Sequence, residues 1–291
     1  MLTILFDGVA YGMLLFVLAV GLAVTMGLMN FINLAHGAFA MVGGYATVIL
    51  MQRFGVPFLL CLPLAFAISA LLGGVLERTL YRPMYAKPHL DQVLFSIGLA
   101  FMAVATMDYF IGSTQQIMQL PEFLKGRTEF ETPLGTLGMG HYRLFIIAIC
   151  GALTVALQLV LARTRFGSRL RASVDDQRVA AGLGINVNVV FLSTFAVGSG
   201  LAGLGGALGA EVLGLDPTFP LKFMIYFLIV VAVGGTSSIT GPLLAALLLG
   251  IADVAGKYYV PKLGAFIVYS LMIAILIWRP QGLFTRQGGK A

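Results

Sequence analysis

Charged residues are scarce in this chain: Asp, Glu, Lys and Arg make up only 10% of its 291 residues. Soluble domains carry about a quarter charged residues, so the sequence lacks the polar surface that a water-soluble globule of this size requires. Hydrophobic residues instead make up 59%, and the mean hydropathy is +0.97. Many apolar runs reach about 20 residues, enough to cross a ~30 Å hydrocarbon core as a helix. The composition therefore predicts an all-α polytopic membrane protein.

Cysteines and basic N-terminal residues are also scarce. Cys61 and Cys150 both fall in apolar runs, which is typical of small buried hydrophobes and argues against a disulfide or a metal site. The opening stretch "MLTILFDGVAYGM" contains no Lys or Arg, and Asp7 interrupts its apolar run. Because a cleaved signal peptide needs a basic start, we expect the first span to be retained.

A nucleotide-binding loop is missing as well. The P-loop requires G-x-x-x-x-G-K followed by Ser or Thr. The nearest approach is "GIADVAGKY", residues 250–258, in which the spacing is one residue too long and Tyr258 follows the lysine. The chain is therefore not expected to be an ATPase. Energy for transport would come from a partner that hydrolyses ATP or from an ion gradient.

Apolar runs between charged or Gly- and Pro-rich breaks give the candidate spans. These are residues 8–29, 36–52, 56–76, 91–112, 143–162, 188–213, 221–235, 240–257 and 263–278. Because two of the breaks, 27–38 and 234–241, carry no charge, the expected count is about eight to ten transmembrane helices. All of them belong to a single transmembrane domain that covers residues 1–291.

Basic residues are concentrated in three connections, and this assigns the sides of the membrane. Segments 77–91, 163–187 and 279–291 hold 11 of the 18 Lys and Arg residues, whereas the long loop 113–142 shows no basic excess. The positive-inside rule places the three basic segments in the cytoplasm and 113–142 outside. Nine spans then put the N-terminus outside and the C-terminus in the cytoplasm. The net charge of +6 is explained by topology and does not indicate a nucleic-acid site.

Polar residues interrupt the apolar sequence "GLMNFINLAHGAFAMVGGY", which covers residues 27–45. Unpaired polar groups in hydrocarbon cost several kcal/mol, so the Asn and His side chains of this stretch must face protein or water. We expect the helix to end near Met29 and to restart near Ala35, with Asn33 as the N-cap. His36 would pair with an amide or a carbonyl, or respond to pH. Both a satisfied structural turn and a gate on a substrate path fit this pattern.

A second break lies in "VGGTSSITGPLLAALLLG", residues 233–250, where small polar residues again separate two apolar spans. Under the predicted topology both breaks lie on the cytoplasmic side and run in the same direction, which hints at two parallel structural repeats. The candidate path or gate residues of the two breaks are Asn30, Asn33, His36, Gly37, Gly235, Thr236, Ser237 and Ser238.

Six glycines crowd the predicted span 188–213, and two of them, Gly205 and Gly209, form a G-x-x-x-G. Small residues let helices approach closely in lipid, so tight packing explains them; a helix that lines a pore or moves against a neighbour is the alternative. Asp253 and Lys257 are four residues apart on another span, the spacing of a helical ion pair.

The longest basic connection, 163–187, contains a predicted helix over residues 173–184. Ser173, Asp175 and Asp176 are residues that open helices, and Gly182 and Gly184 are residues that end them. Between them a small apolar face of Ala180, Ala181 and Leu183 would dock in a groove of a soluble partner. A basic amphipathic loop that lies on lipid is the alternative.

Five motifs in this order resemble the permeases of bacterial branched-chain amino acid ABC importers. They are "GLMNFINLAHGAFAMVGGY", "ERTLYRPM" (77–84), "TRFGSRLRASVDDQRVAAGLGIN" (164–186), "GGTSSITGPLLAALLLG" and "LIWRPQGLF" (276–284). The similarity runs nearly end to end and is closer to the shorter of that system's two membrane subunits. Asn30, Asn33, His36 and Gly37 match the first motif of that family. Arg171, Ala172, Asp175, Ala180, Ala181 and Gly184 match its loop motif, and these residues together with Asp176 are the predicted ATPase-coupling residues.

The resemblance implies a multi-pass protein of the bacterial cytoplasmic (inner) membrane, with no catalytic residue and no cofactor of its own. It implies that residues 173–184 contact one of two cytoplasmic ATPase subunits, which carry ATP and Mg²⁺. A second homologous permease would complete the pore, and a periplasmic binding protein would deliver the amino acid. Relatives that import urea, short amides or other amino acids share much of the pattern. An ion-coupled secondary transporter is a weaker alternative, because it needs carboxylates near the bilayer midplane and the spans offer few.

Overall fold

The computed structural model describes residues 1–29, 31–132, 135–235, 238–279 and 282. The helices are α1 (Leu2–Met29), α2 (His36–Phe54), α3 (Phe58–Leu76), α4 (His89–Ile111), α5 (His141–Arg163), α6 (Arg165–Asp175), α7 (Gln177–Gly182), α8 (Val187–Leu213), α9 (Phe219–Gly234), α10 (Thr240–Tyr259) and α11 (Gly264–Trp278). A π-helical turn, Glu77–Tyr81, continues α3, and 3-10 turns occupy Arg82–Met84, Glu122–Leu124 and Pro261–Leu263. The two strands, β1 (Arg127–Thr132) and β2 (Gly135–Gly140), pair antiparallel.

Each of the nine predicted spans coincides with a helix, so the all-α polytopic class is confirmed. Six of these helices, α1, α3, α4, α5, α8 and α10, are long and apolar enough to cross a membrane. Helices α9 and α11 have only 16 and 15 residues, which at 1.5 Å per residue is less than the ~30 Å hydrocarbon thickness. That α2, α9 and α11 cross the bilayer stays a prediction, as does the sidedness of the termini.

Helix α1 lies at the centre of the fold and is largely buried, with α8 and α10 packed against it. Glycines set these contacts. A Cβ atom on Gly21 of α1 would overlap the carbonyl oxygen of Gly198 in α8, and one on Gly43 of α2 would overlap that of Gly203. Helix α8 therefore meets α1 and α2 backbone against backbone, and the tight-packing interpretation of its glycines is confirmed.

Two acidic residues of the span helices, Asp253 and Asp7, are paired with basic residues. Asp253 is 1% exposed and receives hydrogen bonds from the Lys257 ammonium at 2.5 Å and from the Tyr226 hydroxyl at 3.3 Å. The ion pair predicted from the spacing of Asp253 and Lys257 is thus confirmed. Arg143 at the start of α5 pairs with Asp7 in α1 in the same way.

The connection between α8 and α9 is held by Asp216. Its carboxylate accepts hydrogen bonds from the Thr218 backbone N–H at 2.9 Å, from the Thr218 hydroxyl and from the Lys222 ammonium. Burial alone would raise the pKa of Asp216, but these hydrogen bonds outweigh burial and hold the pKa below its ordinary value. The neighbouring Leu215 carbonyl accepts from the Gln116 N–H at 2.7 Å, which ties the 113–142 loop to this connection.

Candidate translocation path and coupling segment

The first break lies beside the middle of α1, a helix long enough to cross a membrane. Helix α1 ends at Met29, as predicted, and α2 begins at His36. The His36 Nε2 atom is 3.0 Å from the carbonyl oxygen of Leu18, which lies 11 residues before Met29, or about 16 Å along a helix. Residues 31–35 therefore run back alongside α1, and α2 starts beside the middle of that helix.

Side chains of α4 satisfy the non-helical backbone of this break. The Ile32 N–H donates to Gln92 Oε1 at 3.3 Å, and the Leu34 N–H donates to Ser96 Oγ at 3.1 Å. Gln92 and Ser96 are 2% and 0% exposed, so no bulk water is available as a substitute. Irregular backbone is tolerated at this depth only where protein or a water-filled cavity covers it, and here α4 supplies the cover.

Asn33 is the centre of the break, but it does not cap α2. The residue at the N-cap position is Ala35, which makes no side-chain cap. Asn33 lies two residues earlier, where its Oδ1 atom closes a local turn by accepting the Ala35 N–H at 3.1 Å. The same oxygen accepts the Tyr81 hydroxyl, also at 3.1 Å. The buried Nδ2 atom of Asn33 has no partner among the described residues.

His36 is 2% exposed and pairs with a backbone carbonyl, which is one of the two kinds of partner predicted for it. Since a carbonyl only accepts, Nε2 is assigned as the N–H donor. The ring also meets Phe227 of α9 edge-on, with 6.3 Å between ring centroids. A Cβ on the adjacent Gly37 would lie 2.9 Å from Pro220 Cα, so glycine lets α2 touch the start of α9. No cluster of metal-binding residues occurs in the described part of the chain.

The second break follows α9. Helix α9 ends at Gly234, Gly235 has a left-handed φ of 79°, and α10 begins at Thr240. Ser238 Oγ accepts the Gly241 N–H at 3.3 Å and is hydrogen-bonded to the Thr240 hydroxyl at 3.2 Å. Three predicted path residues, Asn30, Thr236 and Ser237, lie outside the described residues.

The helices that enter the two breaks are parallel to each other. Gly8 of α1 faces Ile251 of α10, and Gly12 faces Ala246, so α1 and α10 are antiparallel. Helix α9 turns directly into α10 and is antiparallel to it as well. The predicted common direction of the two breaks is thus confirmed, whereas the idea of two repeats stays a prediction.

The predicted coupling helix over 173–184 is wrong in one respect, because two helices occupy this segment. Asp176 has an extended backbone, with φ −153° and ψ 108°, and separates α6 from α7. Its Oδ1 atom caps α7 by accepting the backbone N–H groups of Arg178 and Val179 at 2.8 and 3.0 Å. Ser173 and Asp175 therefore end α6. The predicted stop is correct, since α7 ends at Gly182 and Gly184 has a left-handed φ of 81°.

The apolar residues of α7 divide between two directions. Ala180 is 1% exposed and packs inward, so it cannot belong to the predicted docking face. Val179 and Leu183 are 59% and 75% exposed, and Ala181 is exposed beside them. The six-residue helix α7 is therefore buried on the side of Ala180 only. The apolar residues that face outward are Val179, Ala181 and Leu183.

A cavity of about 310 Å³ brings the coupling segment and the second break together. Its lining includes Gly167, Leu170 and Arg171 of α6 together with Ser238 and Thr240. The Arg171 guanidinium donates to the Leu161 carbonyl at the end of α5. Ala172 is half-buried in α6. Arg171 and Ser238, which the sequence analysis assigned to separate sites, thus line the same cavity. Among the described residues, no contact connects Asn33 or His36 with Ser238.

Three residues of the first break were not found from the sequence: Tyr81, Gln92 and Ser96. The spacing of Gln92 and Ser96, four apart at the start of an apolar span, was a usable signal, because it places both on one helix face. Tyr81 lies in the "ERTLYRPM" motif, and nothing local indicates that it bonds to a residue 48 positions away.

A bundle of apolar helices with two parallel interrupted spans and a pair of short polar helices between spans defines a multi-pass membrane permease. The chain belongs to the family described as branched-chain amino acid transport system / permease component, whose model matches residues 4–276. As a family member it is a transport subunit of the inner membrane and not an enzyme.

The chain is similar to several characterised permease proteins. It is 28% identical to the high-affinity branched-chain amino acid transport system permease protein BraD of Pseudomonas aeruginosa, over 97% of this chain and 95% of BraD. It is 25% identical to the permease protein LivH of Salmonella typhimurium, over 97% and 94% of the two chains. It is 27% identical to the permease protein LivM of the same organism, over 93% of this chain and 68% of LivM. The length thus corresponds to the shorter type of subunit, as predicted. No solved structure matches the chain.

Proposed function

We propose that this chain is the permease subunit of an ABC importer that moves branched-chain, hydrophobic amino acids into the cytoplasm by alternating access. The observation that carries the proposal is the first break. It holds a buried, non-helical backbone and an Asn33 amide that has no partner among the described residues, and transporters build substrate paths from discontinuous helices of this kind. An apolar bundle with a few polar groups at the breaks suits a substrate with an apolar side chain.

The pore requires partners that this chain does not contain. A second, homologous permease would complete it, since LivH and LivM of one organism are both similar to this chain. A periplasmic binding protein would deliver the amino acid, and two cytoplasmic ATPases would bind ATP and Mg²⁺. The 113–142 loop would face the binding protein and the 163–187 loop would face an ATPase, as the distribution of basic residues suggests.

Helix α7 would be the contact for the ATPase. Val179, Ala181 and Leu183 form its outward apolar surface, and a groove on the ATPase would receive them. Motion of α7 would pass through α6 to the cavity that Arg171 shares with Ser238. ATP binding would then open the path outward and hydrolysis would reset it inward, with Asn33, His36 and Gly37 moving as parts of the gate.

The substrate is tested by uptake into proteoliposomes that contain the complete importer. The expected result is ATP-dependent accumulation of labelled leucine, isoleucine or valine, with little accumulation of urea or acetamide under the same conditions. An unrelated binding protein that does not dock serves as the control. Accumulation of urea or a short amide in preference to all three amino acids would refute the substrate assignment and leave the importer mechanism standing.

A further inference from the structure

The "ERTLYRPM" motif forms one wall of a cavity of about 220 Å³ that has no part in either break. The cavity lies where α3 ends and α8 begins, and its lining combines Arg78, Arg82, Asn186 and Asn188 with the apolar side chains of Val189 and Leu192. Polar side chains of two distant segments thus converge on one concave surface.

The charge of this cavity is positive and only partly compensated. The side chains of Arg78 and Arg82 are both exposed. Neither of them forms an ion pair among the salt bridges of the described residues. The one acidic lining residue, Glu77, is 2% exposed and its carboxylate accepts the Tyr85 hydroxyl at 3.1 Å. Two guanidinium groups and one carboxylate leave a net charge of +1, which matches the single negative charge of a phosphodiester.

The donors suit a phosphate group. Arginine presents a planar array of N–H donors that binds phosphate oxygens in pairs, and asparagine adds amide donors. Arg78 and Arg82 are four residues apart on the π-helical turn and its continuation, so both project from one side of the α3 end.

The lining of the cavity includes apolar side chains that a soluble phosphate compound would not need. Val189 is 52% exposed and Val75 is 59% exposed. A Cβ built on Gly74 would lie 3.7 and 3.8 Å from Ala196 and Leu192, which are ordinary contact distances, so α3 and α8 are packed against each other here. An acyl chain would lie over the exposed valine side chains on the outside of this pair while its headgroup occupies the polar cavity.

We propose that the cavity between the ends of α3 and α8 binds the phosphate of an anionic phospholipid, with Arg78 and Arg82 as its principal ligands. The site is separate from the proposed path and fixes the start of α8 to the membrane surface next to α7. Lipid composition would therefore affect the stability of this corner of the permease.

The test is lipid binding to the assembled transporter, purified in neutral detergent and stripped of lipid, by native mass spectrometry and thermal melting. The probes are dioleoylphosphatidylglycerol, dioleoylphosphatidylcholine and inorganic phosphate. The double variant Arg78→Gln with Arg82→Gln should bind phosphatidylglycerol at least ~10-fold more weakly, because two charge-assisted contacts are lost. Replacement of both residues by Lys keeps the charge and should restore most of the binding.

A matched control removes two arginines outside the cavity, by Arg163→Gln with Arg165→Gln, and should leave the binding unchanged. Equal loss in the control, or no loss in the Arg78 and Arg82 variant, would overturn the proposal. Inorganic phosphate that stabilises the protein as well as the lipid does would overturn the assignment to lipid. Binding that appears only after the ATPases are removed would show that a protein partner occupies the site, and would overturn it as well.

Discussion

Ser96→Ala tests whether α4 holds the first break in place. The Ser96 hydroxyl accepts the Leu34 N–H at 3.1 Å and is itself 0% exposed. Alanine leaves that N–H buried without a partner, which costs about 1–3 kcal/mol. If this cost falls on the native conformation of the break, the ratio of that conformation to other conformations of the segment drops by about 5- to 150-fold. Uptake should fall with it.

Ser69→Ala is the matched control for this prediction. Ser69 is also 0% exposed and donates to the Phe39 carbonyl at 3.2 Å, but Phe39 lies within α2, where that carbonyl keeps its helical partner. Side-chain hydrogen bonds of this kind in membrane proteins average about 0.6 kcal/mol. The assay is the free energy of unfolding in mixed detergent micelles, together with ATP-dependent uptake. Equal losses for Ser96→Ala and Ser69→Ala would refute the view that orphaned backbone groups dominate the energetics of the break.

Three further predictions concern other parts of the chain. Gly43→Val should prevent assembly of the folded protein, because the Cβ overlaps the α8 backbone. Gly98→Val should be tolerated, because no atom of the described residues lies within 4 Å of a Cβ there, and thermal melting compares the two variants. Leu183→Glu should leave the melting temperature unchanged but abolish the transport that accompanies ATP hydrolysis, since this side chain is 75% exposed; normal coupling would contradict the role of α7. Because the pKa of Asp216 is depressed in the folded protein, its carboxylate contributes stability above pH ~4, and this stability is lost as the pH falls further. Asp216→Asn should therefore flatten the acid side of the plot of unfolding free energy against pH. An unchanged plot would show that the contact with Lys222 is unimportant.

The positions of the helices follow from the sequence because hydropathy and turn residues act locally. Met29 ends α1 where the apolar run meets the polar break, and Gly182 ends α7 where two glycines meet the next span. The six glycines of the predicted span 188–213 indicated close packing, although the choice of partner helix depended on the tertiary fold. These features need only the preferences of neighbouring residues.

The errors lie where distant contacts decide between local alternatives. Asn33 is a good N-cap residue, yet its oxygen bonds the Tyr81 hydroxyl and a turn N–H, so α2 begins later. Asp175 and Asp176 are equally able to start a helix by residue type, and Asp176 is the one that caps α7 because its backbone is extended. Ala180 faces inward because α7 is rotated by its contacts with neighbouring helices, which a six-residue pattern does not specify.

Uptake of labelled leucine into vesicles that contain this chain distinguishes an ATP-driven importer from a gradient-driven transporter. The chain is reconstituted with a second permease, the ATPases and the binding protein, with and without ATP on the ATPase side. We expect uptake that requires both ATP and the binding protein and that is unaffected when proton and sodium gradients are collapsed. Uptake by this chain alone, driven by either gradient, would contradict this expectation.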